Sequence, residues 1–341
     1  MTPTAIETAA ETAVKTVTET EDRDDAVLVA SLVPAPGPHG DDAGAVAAAL
    51  GVEVSTLLDL SVSMNPFAPS VAAVAGSHLD ALARYPAQRD VSMATGSLAE
   101  AMGVEPGRLL LTNGGSEAIA LVASEVGRGW VDEPDFSLYR RHLSHLDPAG
   151  ARFRSDPHNP TGALAGPGDR ADVWDEAFYP LATGRWTRGD ADQGGSLVVG
   201  SLTKLFACPG LRLGYVLGPP GNVDIVRRLR GRQPRWSVNA LALAVLPDLL
   251  AGADLAGWAA STSAVRRELS DLLGAYGLRP RPSAANFILV DAATGLRDAL
   301  ASRGVLVRDC TNFGLPDSVR IAVPEPAGLM RLSTALLEVW T

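Results

Sequence analysis

An α/β domain with a mostly parallel sheet, followed by a smaller α+β domain, is the fold that this 341-residue sequence predicts. Three observations carry the expectation. Helical and strand-like patterns alternate from Ala26 onward, as they do when crossover helices join parallel strands. The stretch LLLTNGGSEAIALVASEVG passes from an apolar strand through Asn113, Gly114 and Gly115 into a helix beginning near Ser116. SLVVGS is a β-branched run of the kind buried between two layers.

The remaining elements follow in chain order. GDDAGAVAAALG reads as a helix and LLDLSV as a short apolar strand. A second helix is expected over Val71 to Leu82, ending at RYP. A third covers VSMATGSLAEAMG and stops at Gly103, since glycine readily takes the left-handed conformation that closes helices. DEPDFSLYRRHLSHLDPAGARFRSD reads as polar and irregular. After the basic VRRLRGRQPRWSVN, an alanine- and leucine-rich helical region continues to about Ala275. NFILVD and VRIAV are strands, with helices at Gly295 to Arg303 and after Pro326. The expected organisation is a disordered acidic tail over 1–25, an N-terminal arm over 26–65, a large domain over 66–236 and a small C-terminal domain over 237–341.

Composition narrows the function. With 46% apolar residues the chain can bury a sizeable core, and its formal net charge of -10 argues against a nucleic-acid partner. A small anion needs only a local cluster of donors. The two cysteines, Cys208 and Cys310, form neither a disulfide framework nor a zinc spacing, and they suit a reducing cytoplasm. His142 and His145 lack acidic or thiol neighbours at ligand spacing, so no metal site is expected. The N-terminus has no basic start or apolar core of a signal peptide. The most apolar run, NALALAVLPDLLAGADLAGWAA, carries Pro247 and two aspartates, and no membrane partner is expected.

Four segments could carry chemistry. TNGGSEAI places backbone N–H groups at a helix N-terminus, where the dipole favours an anion. DPHNPTG, residues 156–162, is a tight turn offering the Asn159 amide beside a rigid proline. VWDEAFYP puts the Asp175 carboxylate at the C-terminal edge of a strand, where α/β sheets build their sites. SLTKLFACPGLRLGY sets Lys204 and Arg212 with Ser201 and Thr203 in twelve residues. That cluster suits a phosphate, and positive neighbours favour the neutral amine needed for covalent work. Each segment alone is also a common turn, cap or surface lysine. Their order and combination are specific.

Together with Tyr85-Pro86, PDFSLY, PSAANF and VRIAV, these segments resemble the fold-type I pyridoxal-phosphate (PLP) enzymes of the class I/II aminotransferase family, from about Pro38 to the C-terminus. The resemblance implies a fold-type I PLP-dependent transferase, with a large mostly parallel-sheet domain and a smaller C-terminal α+β domain, acting as a cytoplasmic homodimer. It implies that Lys204 binds the cofactor covalently and that Asp175 keeps the pyridine nitrogen protonated, so that the ring draws electrons. Asn159 would hydrogen-bond the phenolic oxygen and Phe136 would stack on the ring. Gly115, Ser116, Ser201 and Arg212 would hold the cofactor phosphate, with Tyr85 from a partner subunit. Arg320 would bind the substrate α-carboxylate as a bidentate fork, with Asn65 and His39 also on the substrate side.

HGDDAGAVAAALGV, LLDLSVSMNPFAPS, SLTKLFACPGLRLGY and QPRWSVNALA are similar to segments of the cobalamin-pathway threonine-phosphate decarboxylases. Histidinol-phosphate aminotransferases more often show a Thr-Leu-Ser-Lys form at the lysine. Phe178 points the same way, because aminotransferases usually place tyrosine there, although Tyr179 is adjacent. The implied reaction is decarboxylation of an O-phosphorylated amino acid such as L-threonine O-3-phosphate, with Arg84, Arg212 and Arg320 as cations for the substrate phosphate. The alternatives are a histidinol-phosphate-type aminotransferase and a PLP-binding protein with altered or lost activity. The last arises because 23 positions separate Phe136 from Asn159 and 16 separate Asn159 from Asp175. Relatives fit extra helix and strand into both intervals, so the large domain is read as trimmed over 137–174.

Overall fold

The computed structural model describes residues 33–37, 42–189, 192 and 194–340, so the expected tail over 1–25 lies outside the described residues. The chain divides into two compact units: Met64–Thr262, and Met1–Ser63 together with Ser263–Thr341. Helix α1 (Ala43–Leu50) and strand β1 (Leu58–Leu60) come first. The Met64–Thr262 unit then runs α2 (Val71–Gly76), α3 (Gln88–Met102), β2 (Leu109–Asn113), α4 (Gly114–Val126), β3 (Arg128–Val131), α5 (Leu138–His142), β4 (His145–Leu146) and β5 (Ala151–Ser155). It continues with β6 (Val173–Asp175), α6 (Tyr179–Thr183), β7 (Leu197–Gly200), α7 (Leu202–Leu205), β8 (Leu213–Leu217), α8 (Val223–Arg232) and α9 (Ala240–Ala251). Helix α10 (Leu255–Ala275) carries the chain onward to β9 (Arg279–Pro280), β10 (Phe287–Asp291), α11 (Leu296–Ala301), β11 (Val305–Asp309), β12 (Val319–Ala322) and α12 (Pro326–Trp340).

The larger sheet has the order β2-β8-β7-β6-β5-β3-β4. Strands β3 to β7 pair in parallel, while β8 runs antiparallel to both β7 and β2. Alternate residues of each strand enter different cores. Leu109, Leu111, Trp174, Val198 and Tyr215 face one cluster, whereas Leu110, Val173, Leu197, Val199 and Val216 face the other. Both faces are therefore buried, which is why these strands read as continuous apolar runs. On the first face lie Leu98 of α3, Leu243, Leu246 and Leu249 of α9, and Trp258. Ala118 and Val122 of α4, Tyr139 of α5 and Leu229 of α8 fill the second.

Several expectations are corrected. The helix expected to Leu82 ends at Gly76, and a short 3₁₀ turn over Leu79–Ala83 follows. The alanine-rich region is two helices, α9 and α10, bent by 82°. No single helix among the described residues is long and apolar enough to cross a membrane. One compact unit runs to Thr262, and the apolar side of α9 packs into the core of the sheet that carries β2. The segment read as polar and irregular forms α5, β4 and β5. Its arginines hid the strand: the Arg152 guanidinium lies 5.0 Å from the Trp130 ring and Arg154 lies 5.7 Å from Trp174, so long polar side chains cover apolar surface.

Between β5 and β6, residues 156–172 contain no helix or strand, although parallel crossovers usually carry a helix. There Arg188 covers Trp174, its guanidinium 4.2 Å from the ring, and Arg188 Nη1 meets Asp156 Oδ2 at 2.6 Å. Glu176 is buried beside them and accepts from the Arg188 N–H at 3.3 Å. Burial, with the Asp156 charge adding to it, pushes the Glu176 carboxyl up to about 8. A raised carboxyl binds its proton more tightly folded than unfolded, so stability falls as pH rises between about 4.5 and 8. Glutamine cannot ionise. The melting-temperature gain of Glu176→Gln over wild type should therefore widen from pH 5 to pH 9; parallel melting curves across that range would refute the assignment.

The second unit holds a five-stranded sheet, β1-β11-β12-β10-β9, in which β1 and β11 are parallel and the other pairs antiparallel. Val46 of α1 packs with Ala301 of α11 and Leu306 of β11.

Candidate active site

Strands β3, β5, β6 and β7 all end at one edge of the larger sheet, and β2 ends there too, because two antiparallel pairings through β8 restore its direction. Side chains just beyond carboxyl ends of this kind form the sites of α/β sheets.

The end of β2 passes directly into α4 at Gly114, whose φ of 73° is left-handed. A methyl group at Gly114 would come within 2.6 Å of Arg212 Nη2, so the guanidinium lies against a bare helix N-terminus. A methyl at Gly214 would overlap the Gly114 carbonyl carbon, so two glycines permit this close approach. Gly115 faces Ser201, with its missing Cβ 3.5 Å from that of Ser201. Ser116 is exposed on the first turn. Arg212 itself has a φ of 57°, a left-handed conformation costly for a residue with a Cβ and retained where neighbours over-determine it. Glu117 pins the cradle from behind, accepting from the Asn113 N–H at 2.7 Å, Gln233 Nε2 at 3.0 Å and Ser237 Oγ at 2.5 Å.

Lys204 sits on α7, a four-residue helix held at both ends. Thr203 Oγ1 donates to the Leu213 carbonyl at 3.0 Å and accepts from the Leu213 N–H at 3.3 Å. Asn65 N–H donates to the Lys204 carbonyl at 3.0 Å, and Asn65 Nδ2 donates to that of Leu205 at 2.9 Å. Asn65 is 2% exposed and its Oδ1 accepts from the Phe67 N–H, so in this structure its amide fastens the lysine helix.

Asp175 ends β6. Its Oδ2 accepts from the Tyr139 hydroxyl at 2.8 Å and its Oδ1 from the Ala177 N–H at 3.0 Å. Burial pushes its carboxyl up to about 6; the charge of Asp135 adds to the rise, while Lys204 opposes it. The lysine and the carboxylate thus act on each other across the strand ends. Asn159 follows β5, its N–H donating to Ser155 Oγ at 2.8 Å. Phe136 follows β3, half-buried and edge-on to Tyr139 at 5.9 Å between ring centroids.

The structure brings Lys204, Asp175, Asn159, Phe136, Gly115, Ser116, Ser201 and Arg212 to one sheet edge. Tyr85 is 74% exposed and stacks on Trp236, ring centroids 4.5 Å apart. Arg320 lies on β12 of the other unit, buried, with its guanidinium 4.6 Å from the Phe287 ring; burial holds it down at about 10. His39 lies outside the described residues. Tyr179 is buried, which raises its pKa, and the charges of Glu176 and Asp156 add to the rise. Sequence reasoning missed Tyr139, Ser155 and Asp135. Asp135 and Tyr139 both stand in PDFSLY, and Tyr139, three residues after Phe136, had a helical-spacing signal.

An anion cradle, an amine and a carboxylate along one edge of a doubly covered sheet match the three reactive parts of pyridoxal phosphate: its phosphate, its aldehyde and its pyridine nitrogen. Fold and site define a PLP-dependent enzyme. The chain belongs to the family of class I and II aminotransferases, whose family model matches residues 153–336. It is 30% identical to histidinol-phosphate aminotransferase 2 of Pseudomonas fluorescens over 353 residues, covering 89% of this chain and 94% of that protein. It is likewise 30% identical to threonine-phosphate decarboxylase of Salmonella typhimurium, over 89% of this chain and 96% of that one. In fold it is similar to histidinol-phosphate aminotransferase from Sinorhizobium meliloti, solved in complex with pyridoxal-5'-phosphate, with a TM-score of 0.73 at 18% identity over 95% of this chain and 99% of that one.

Proposed function

We propose that the protein decarboxylates an O-phosphorylated amino acid such as L-threonine O-3-phosphate. The observation that carries this reading is Phe178, buried three residues after Asp175, the end of β6. A phenylalanine there lacks the hydroxyl that aminotransferases usually set at this place. The SLTK form of the lysine motif and the full-length likeness to a threonine-phosphate decarboxylase support the same reading.

When bound, PLP supplies an electron sink for the bond broken at the substrate Cα. Arg212, Ser201 and the α4 N-terminus neutralise and orient the phosphate. Asp175, ionised above about pH 6, holds a proton on the pyridine nitrogen. Asn159 donates to the phenolic oxygen, and Phe136 excludes water from one ring face. Lys204 Nζ would be the amine that holds the cofactor, and it would carry the proton that replaces the lost carboxylate at Cα. Tyr85 from a second copy would complete the phosphate site, and Arg320 would bind the substrate α-carboxylate. The two reduced cysteines support a cytoplasmic setting.

A second reading, a histidinol-phosphate-type aminotransferase, is supported by the 30% identity to such an enzyme. A single assay separates them. Carbon dioxide released from L-threonine O-3-phosphate without any 2-oxo acid supports the decarboxylase. Glutamate formation from 2-oxoglutarate, driven by glutamate-free histidinol phosphate, would replace it with the aminotransferase. A PLP-loaded protein giving neither product would leave only the third reading, cofactor binding with altered activity.

A further inference from the structure

We propose that Asp135 is a positioning residue, one buried carboxylate that fixes the backbones of both Phe136 and Asn159 so that each presents its side chain to the cofactor. The inference rests on the roles proposed above for those two residues.

Asp135 is 2% exposed and lies between the end of β3 and Phe136. Its Oδ1 accepts from the Phe136 N–H at 2.7 Å and from Ser155 Oγ at 2.6 Å. Its Oδ2 accepts from the Ser155 N–H at 3.0 Å. Ser155 is the last residue of β5, itself buried, and its Oγ accepts from the Asn159 N–H at 2.8 Å. One side chain therefore ties the loop after β3 to the loop after β5. These are the loops that carry the stacking ring and the amide.

The chemistry of a carboxylate explains the choice. It only accepts, so it obliges the Ser155 hydroxyl to donate towards Asp135. The serine lone pairs are then left facing Asn159, whose N–H donates to them. A neutral amide at 135 could turn its NH₂ to Ser155 and reverse that order. Charge also shortens and strengthens these bonds. The arrangement is not free: burial pushes the Asp135 carboxyl up to about 6, so the fold retains a partly desolvated charge here. Tyr139 feels both Asp135 and Asp175 while donating to Asp175, so the same carboxylate borders the group that holds the ring nitrogen.

The test compares Asp135→Ala, Asp135→Asn and Ser155→Ala in the full chain. Amide hydrogen exchange is first read at Phe136 and Asn159 in the cofactor-free protein. Asp135→Ala should speed exchange at both amides at least tenfold. Ser155→Ala should speed Asn159 while leaving Phe136 within twofold of wild type, a pattern that general loosening of the fold does not give. Asp135→Asn keeps the shape and one acceptor oxygen, and should free Asn159 more than Phe136. After loading with pyridoxal phosphate, Asp135→Ala should bind it at least tenfold more weakly and change the circular dichroism per bound cofactor. Protection of both amides within twofold of wild type in Asp135→Ala would overturn the proposal, as would unchanged dichroism and affinity. If Asp135→Ala does not fold, Asp135→Asn carries the same two comparisons. Failure of wild type to bind pyridoxal phosphate would sink the cofactor roles of Phe136 and Asn159, and with them this proposal's purpose, while the amide pattern would still report the tie itself.

Discussion

Lys204→Ala should yield a folded protein that turns over at least about 10⁴-fold more slowly and carries no covalently attached cofactor. The fold should survive because the bonds that hold α7 use the backbone of residue 204: Asn65 N–H meets the Lys204 carbonyl, and Thr203 fastens the helix to Leu213. The activity should not survive, because the α7 helix and the strand ends around it hold no second lysine. The chain has only two, Lys15 and Lys204. Borohydride reduction of the loaded protein, followed by peptide mapping, should place the pyridoxyl mass on the peptide containing residue 204 in wild type and on none in the variant. Lys204→Arg makes a sharper control. It retains positive charge opposite Asp175 but cannot condense with an aldehyde, so it should bind the cofactor noncovalently and stay inactive. Turnover by Lys204→Ala within tenfold of wild type would remove the lysine from the reaction.

That lysine was legible because its neighbours are local. Ser201, Thr203 and Arg212 lie within twelve positions, and the strand–glycine–helix signature of α4 is contiguous. The carboxylate at a strand end was legible for the same reason. What escaped is non-local. Asp135 stands in PDFSLY, but its partner Ser155 is twenty positions away and outside any motif; only the parallel pairing of β3 with β5 brings them together. Asn65 lies in a stretch read as substrate-facing, yet its amide is turned to the Lys204 helix, and no pattern in the sequence reports which way an amide turns.

The fold shows the same division between local and distant causes. Gly103 stops α3 in a left-handed conformation, as its sequence position predicts. Strands β7, β10 and β12 were legible as apolar runs because both of their faces are buried. Strand β5 was not, since its sequence ARFRS shows arginine at two of five positions. Those arginines behave as apolar cover for tryptophans, and a tryptophan partner cannot be read from the strand that it lies beneath. The helix missing between β5 and β6 follows from chain length, whereas the Arg188–Trp174 stack that replaces it comes from a loop beyond α6.

Asp175→Asn should separate catalysis from stability in opposite directions. Asparagine has nearly the same shape, so Oδ1 can still accept from the Ala177 N–H and the Tyr139 hydroxyl can turn to accept from the new amide. The charge is what is lost. Without a carboxylate the pyridine nitrogen is not kept protonated, and turnover should fall by about 10²–10⁴-fold, the range that a positioned charge or proton contributes. Stability should move the other way. Burial raises the Asp175 carboxyl to about 6, so between its ordinary 3.8 and that value the folded state binds more protons than the unfolded state. The ionised carboxylate therefore costs stability at neutral pH, and asparagine removes that cost. The cofactor-free variant should melt at or above wild type at pH 7.5, with the difference closing as pH falls below about 4. The same titration sets the acid limb of wild type: its affinity for pyridoxal phosphate should weaken as pH drops through about 6, and Asp175→Asn should lack that limb. A variant that melts lower than wild type at pH 7.5 while retaining turnover would mean that Asp175 is there to hold Tyr139 and the β6 end, and that the ring nitrogen is served by another group.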